Sequence, residues 1–192
     1  MKLKSLILKN RSYRRFHQKK SISKDTLIDL VDLARLSASA ANHQPLKFIL
    51  SNTPDTNKKI FSTLAWAGYL EKWNGPEQGE RPSAYIIILG DKTIKESFSC
   101  DHGIAAQSIL LGAVDKGLGG CILGSIDRKK LRAMLDIYSK YEILLVIALG
   151  KPVEKVTVET VGSEGNIKYW RDEQNVHHVP KRSLEEIIVE VR

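Results

Sequence analysis

Residues 142–149 read Glu-Ile-Leu-Leu-Val-Ile-Ala-Leu, and seven apolar side chains in a row leave no polar face to turn toward water. A run of this length that ends at a glycine, Gly150, reads as a strand buried on both faces, so the sheet that holds it needs a covering layer on each side. Ala84–Leu89 is a second strand, and Lys47–Ser51 a short buried third. Ser23 is a good N-cap for a helix over residues 24–37, with Asp25 in its first turn and Leu27, Leu30, Val31 and Ala34 at helical spacing. Further helices are expected from Pro54 to about Leu70, over residues 101–116, and from the Asp127 cap to Leu135. A short strand is expected at Cys121–Leu123. On periodicity alone this alternation of helix and strand suggests a doubly wound parallel sheet.

The chain has 192 residues, which suits one domain, and no internal repeat or low-complexity tract divides it. An apolar content of 42% and a mean hydropathy of −0.23 describe a globular chain rather than a disordered one. The N-terminal Met-Lys-Leu-Lys-Ser-Leu-Ile-Leu-Lys-Asn has too short an apolar stretch for a signal-peptide core or a membrane span, and reads as a first helix. Cys100 and Cys121 form no Cys-x-x-Cys and have no histidine at metal-ligand spacing, so neither a disulfide framework nor a zinc site is expected. A cytoplasmic chain with reduced thiols is the simplest expectation. The net charge of +8 suits an anionic partner, but the Lys and Arg are dispersed and no nucleic-acid motif is present. Attraction of anionic dinucleotides is the better use of the excess; neither nucleic acid nor a membrane is expected as a partner.

Two polar segments stand out. Asn10-Arg11-Ser12-Tyr13-Arg14-Arg15-Phe16 gathers three guanidinium groups and a serine hydroxyl, a set suited to a phosphate or an electron-rich heterocycle. Ser39-Ala-Ala-Asn42-His-Gln44-Pro45 adds amides and a hydroxyl at a helix-to-strand junction. Read singly, the first is also compatible with a solvated basic face and the second with a turn. Read together they resemble paired motifs of the FMN-dependent nitroreductase family. Asp101-His-Gly-Ile-Ala-Ala-Gln107 and Gly117-Leu-Gly-Gly-Cys-Ile-Leu-Gly124 agree with that family in the same order. The likeness runs from about Asn10 to Val189 and is thinnest at residues 69–82 and 152–175.

The resemblance implies an α+β fold in place of the parallel one: a mixed, largely antiparallel central sheet flanked by helices. Residues 1–192 would form a single FMN-binding domain. A C-terminal arm, about residues 163–192, would be exchanged across a homodimer, giving apolar Leu184, Ile187, Ile188 and Val191 something to pack on. It also implies FMN as cofactor, with Arg11 near the phosphate or ribityl chain, Ser12 near the ring or ribityl oxygens, and Arg14 against N1 and O2 of the flavin. Ser39, Asn42 and Gln107 would reach the same flavin from the other subunit. The backbone amides of Leu123 and Gly124 would face N5 and O4, and Arg182, with Lys181 as its nearest substitute, would close on the phosphate. Two departures from the family pattern are Asn10, where many relatives have a basic residue, and Ala38, where they have Pro. Asn10 leaves one phosphate charge fewer.

The activity implied is hydride transfer from NADH or NADPH through the flavin to an electron-poor acceptor such as a nitroaromatic or quinone, by a ping-pong route with no catalytic side-chain acid or base. A same-fold dehalogenase or flavin-cleaving enzyme, or a non-catalytic electron carrier, are the alternatives. His177-His178 and Asp101-His102 invite a metal or acid–base role, but adjacent residues on a strand point to opposite faces. Trp66, Tyr69 and Trp73 are spaced as core or helix-face aromatics, and also fall where the family places variable elements beside the flavin.

Overall fold

The computed structural model describes residues 2–192. Its helices are α1 (Leu3–Lys9), α2 (Lys24–Arg35), α3 (Pro54–Phe61), α4 (Asp101–Asp115), α5 (Arg128–Met134) and α6 (Leu184–Ile187). Its strands are β1 (Leu46–Ser51), β2 (Ala84–Asp91), β3 (Gly119–Leu123), β4 (Tyr141–Gly150), β5 (Val156–Thr160), β6 (Trp170–Arg171) and β7 (His177–Lys181). The central sheet has the order β1-β2-β4-β3, and each neighbouring pair is antiparallel.

The apolar run of β4 does lie inside, and β2 beside it shows why two layers are needed. Ala84, Ile86 and Ile88 point to one side, into a core with Leu27 and Leu30 of α2 and Ile109 of α4. Tyr85, Ile87 and Leu89 point to the other, toward Ile60 of α3 and Leu131 of α5. This is the period-two alternation of a strand with an apolar layer on each face. Ser23 caps α2 by accepting a hydrogen bond from the Thr26 amide at 3.1 Å.

The parallel sheet suggested by periodicity is corrected to an antiparallel one. Alternation of helix and strand sets the number of layers but not the direction of each strand. Between β1 and β2, α3 stops at Phe61 rather than continuing to Leu70. Leu64 instead bridges Ile126, the Ala65 amide donates to the Ser125 carbonyl at 3.0 Å, and Ala67 takes a left-handed φ of 41°. Residues 62–83 then return the chain irregularly, so β2 runs back along β1.

The β2–β4 ladder has a bulge. Ile88 pairs with Leu145 and Leu89 with Ile143, which leaves Leu144 without a partner. Arg128 donates from Nε to the Ile143 carbonyl at 2.9 Å and from Nη2 to the Leu144 carbonyl at 3.2 Å. Arg132 holds the carbonyls of Ile137, Tyr138 and Tyr141 at 2.7–2.9 Å. Two guanidinium groups thus satisfy backbone acceptors that the ladder does not.

Beyond β4 the chain forms a second small sheet of order β5-β7-β6, with β5 and β7 parallel and β6 antiparallel to β7. Sequence periodicity does not announce it, because its strands are short, polar and interrupted by Pro180. A capping box between Ser183 and Glu186 starts α6. Leu184, Ile187, Ile188, Val189 and Val191 beyond it are exposed. Among the described residues no helix is long and apolar enough to cross a membrane.

Candidate functional site

The segment 10–16 lies extended along the sheet edge. Ser12 bridges Gly120 in parallel and Phe16 bridges Pro152 in antiparallel fashion, and the Tyr13 amide donates to the Gly120 carbonyl at 3.0 Å. Such close approach depends on missing side chains. A Cβ at Gly119 would meet the Tyr13 ring at 2.5 Å, and one at Gly150 the buried Phe16 ring at 2.7 Å. Of the three arginines, Arg15 turns away and makes a bidentate pair with Glu80, both contacts at 2.6 Å.

Arg11, Ser12 and Arg14 line a cleft of about 330 Å³ with Asn10, Gln107 and Lys181. None of its lining residues is acidic. The Asn10 amide donates to Gln107 Oε1 at 3.3 Å, so Gln107, expected from a partner subunit, meets the arginine segment within one chain. The Arg11 guanidinium gives one N–H to the Ile7 carbonyl at 2.8 Å, and its Nε is buried without a partner.

Arg14 is buried, yet its guanidinium bonds no carboxylate. It donates to the Ser12 carbonyl at 3.2 Å, lies 4.8 Å from the Tyr169 ring centroid and meets His177 Nε2 at 3.2 Å. The buried Glu154 instead accepts from the Arg14 and Arg15 backbone amides and pairs with Arg171 at 3.3 Å. Arginine can only donate, so the network assigns His177 Nε2 as the acceptor, and a neutral ring then carries its proton on Nδ1. Burial, with Arg14 and Arg171 adding to it, holds His177 down to about 4, so the ring is neutral near pH 7. That buried Nδ1 has no partner.

His177 and Tyr169 are cleft residues that sequence reasoning passed over. The signal that finds His177 is the alternation of β7: His177, Val179 and Lys181 all line the cleft, while His178 faces the other way and bridges Glu159 at 3.0 Å and Asp172 at 3.1 Å; nothing in the sequence pattern marks Tyr169. The same alternation reverses the ranking of the two C-terminal cations. Lys181 reaches the cleft, whereas Arg182 pairs with Glu186 at 3.1 Å on the exposed side.

The remaining expected residues lie elsewhere. Ser39 donates to Asp101 Oδ2 at 2.7 Å and accepts from the Gln44 amide at 2.9 Å. It borders a separate cleft of about 220 Å³. Burial opposes ionisation of Asp101, but the hydrogen bonds from Ser39 and the Ala40 amide outweigh it and hold the carboxyl below its usual range. Asn42 is exposed in a loop where Ala41, Asn42 and Gln44 all have left-handed φ of 49–55°, a strained backbone that Asn tolerates better than Ala. At the end of β3, Ile122 lines the Arg14 cleft, the Leu123 side chain is buried in the opposite core and Gly124 is exposed. Tyr69 packs against Tyr169 in a tilted pair with centroids 4.9 Å apart, Trp73 lies under Arg171, and Trp66 is buried beside Phe61. Cys100 is exposed and Cys121 buried, both as free thiols.

This arrangement can hold an anion with several hydrogen-bond acceptors, because Arg11, Arg14 and Lys181 bring donors to it and no lining residue is an acid that would compete for them. The chain is similar to the oxygen-insensitive NADPH nitroreductase of Helicobacter acinonychis, at 23% identity over 88% of this chain and 96% of that one. Its fold is similar to an FMN-dependent nitroreductase from Clostridium difficile, with a TM-score of 0.64 at 23% identity over 80% of this chain and 89% of the other. A nitroreductase family protein from Streptococcus pneumoniae matches over the full length of both chains, with a TM-score of 0.72 at 18% identity. The model of the nitroreductase family matches residues 7–151, which take in the last turn of α1, the arginine segment and the whole central sheet. With three quarters of its length under that model, the chain belongs to the nitroreductase family.

Proposed function

We propose that this chain is an FMN-dependent oxidoreductase that passes a hydride from NADH or NADPH to an electron-poor acceptor such as a nitroaromatic or a quinone. The observation that carries the reading is the acid-free cleft where Arg14 and neutral His177 meet with an unspent N–H. These residues fit a flavin mononucleotide. Lys181 and Arg11 supply countercharge for its phosphate, and charge-assisted hydrogen bonds of that kind are worth about 1.5–3 kcal/mol each. Arg14 places a fixed positive charge for the ring edge, and Asn10 and Gln107 offer amides. When bound, the flavin supplies the hydride chemistry at its N5 and the protein supplies position and electrostatics.

Ser39, Asn42 and the amides of Leu123 and Gly124 complete the same site in this reading, Ser39 and Asn42 from a second copy of the chain. The purified protein is expected to be yellow and to release FMN on denaturation, and to oxidise NADH or NADPH steadily when a nitroaromatic or quinone is added. A colourless protein that takes up no added FMN overturns the proposal. Flavin binding without turnover would favour the electron carrier.

A further inference from the structure

A further cavity, of about 500 Å³, lies where α3 begins beside the start of β2, and it shares no residue with the Arg14 cleft. On its lining, Arg81 Nε, Ser83 Oγ and Tyr85 Oη are all buried without a hydrogen-bond partner. Ser83 is 7% exposed and Tyr85 0%. The two asparagines beside them do find partners: Asn57 donates to the Ser83 carbonyl at 2.8 Å and accepts from Ser51 at 2.7 Å, and Asn52 donates to the Ile22 carbonyl at 3.1 Å. The three orphaned groups are therefore a local exception, and a buried polar group left unpaired costs about 1–3 kcal/mol.

What they lack is an acceptor. Arginine has no acceptor, and burial, only partly offset by the neighbouring Arg81 charge, pushes the Tyr85 hydroxyl far above its ordinary value, so it remains an O–H donor. The charge around the cavity has the same sense, with Lys19, Lys58 and Arg81 against the single carboxylate of Asp55. Among the described residues none of those three cations is in an ion pair. The first turn of α3 also borders the space, and the start of a helix favours negative charge. The Arg81 guanidinium rests 4.3 Å from the Phe61 ring centroid. It makes no side-chain hydrogen bond among the described residues, so a bound anion would compete with no protein acceptor for it.

We infer that this cavity is an anion site, for the phosphate or carboxylate group of a small organic molecule. The volume of about 500 Å³, against about 30 Å³ for a water molecule, leaves room for a body attached to the anionic group. The site goes beyond the proposed flavin chemistry and stands without it.

The test uses the whole protein with ¹³C-labelled tyrosine, titrated with inorganic phosphate and separately with acetate, the Tyr85 resonance being identified by its loss in Tyr85→Phe. A saturable shift of that resonance, with affinity at least tenfold weaker in Arg81→Gln, is expected. Response to phosphate alone assigns a phosphorylated ligand, and response to acetate alone a carboxylated one. No shift with either anion, or equal affinity in Arg81→Gln, overturns the site. Because Tyr85→Phe removes an unpaired hydroxyl, its melting temperature in anion-free buffer is expected to equal or exceed that of the native protein. A lower value would show that the hydroxyl has a structural partner and would overturn the inference.

Discussion

Arg14 and Lys181 are cations on one cleft, but one is buried and the other exposed, and on the proposed function this separates their effects. Lys181→Ala is expected to weaken FMN binding by about tenfold, or 1.4 kcal/mol, and to leave the potential of the bound flavin nearly unchanged. Arg182→Ala, which removes only an exposed pair with Glu186, is expected to change FMN affinity little. Arg14→Ala should lower the flavin potential and slow its reduction by NADH or NADPH, because a buried charge stabilises incoming electrons far more than a solvated one does. Titration of FMN fluorescence and a spectroscopic potential on the three variants check this. Equal effects of Lys181→Ala and Arg182→Ala would sink the assignment. At this scale the arginine segment was legible in the sequence because clustered guanidinium groups need partners wherever they are buried. The resemblance already singled out Arg14 over Arg15, but that Lys181 rather than Arg182 faces the cleft was not legible, since it depends on which way one residue of an extended strand faces.

At the scale of elements, the small terminal sheet carries opposed titrations on the two faces of β7. His177 is held down to about 4 by burial and by Arg14, so its contribution to stability is present above the unfolded value of about 6.5 and is lost as pH falls toward 4. His178 is raised, by its hydrogen bond to Asp172 first and against some desolvation, with Glu159 adding to it. Its contribution is full below about 6.5 and is lost as pH rises through the raised value. The melting temperature is therefore expected to be highest near neutrality. His178→Gln should remove the decline on its alkaline side, and His177→Gln part of the decline on its acid side. Calorimetry from pH 4 to 9 decides it, and an unchanged alkaline limb in His178→Gln would contradict the bridged histidine. The central strands and α2 were readable from hydrophobic period because their faces meet an apolar core. The turn that ends α3 and the strands β5–β7 are set by contacts distant in sequence, such as Leu64 with Ile126 and Val156 with His177, which periodicity does not report.

For the whole molecule, the exposed apolar side chains from Leu184 to Val191 are the part of the single chain that most needs a cover. We propose that a second copy provides it. Removal of residues 183–192 is then expected to convert a dimer into a monomer with the central sheet intact, as sedimentation and circular dichroism would report; an unaltered dimer would place the interface elsewhere. Charge acts over the same range. The guanidinium groups of Arg128 and Arg132 are occupied by the five carbonyls at the β4 bulge and the turn before it, and a carbonyl satisfies a donor without cancelling its charge. The geometric repair of a sheet irregularity thus leaves two uncompensated positive charges in a chain whose net charge is +8, and they add to a field that draws in anions from beyond contact distance. The association rate of NADH or NADPH should accordingly fall steeply between low and physiological salt, where the screening length shrinks to about 8 Å. Arg132→Gln, at a residue that does not line the Arg14 cleft, should flatten part of that dependence.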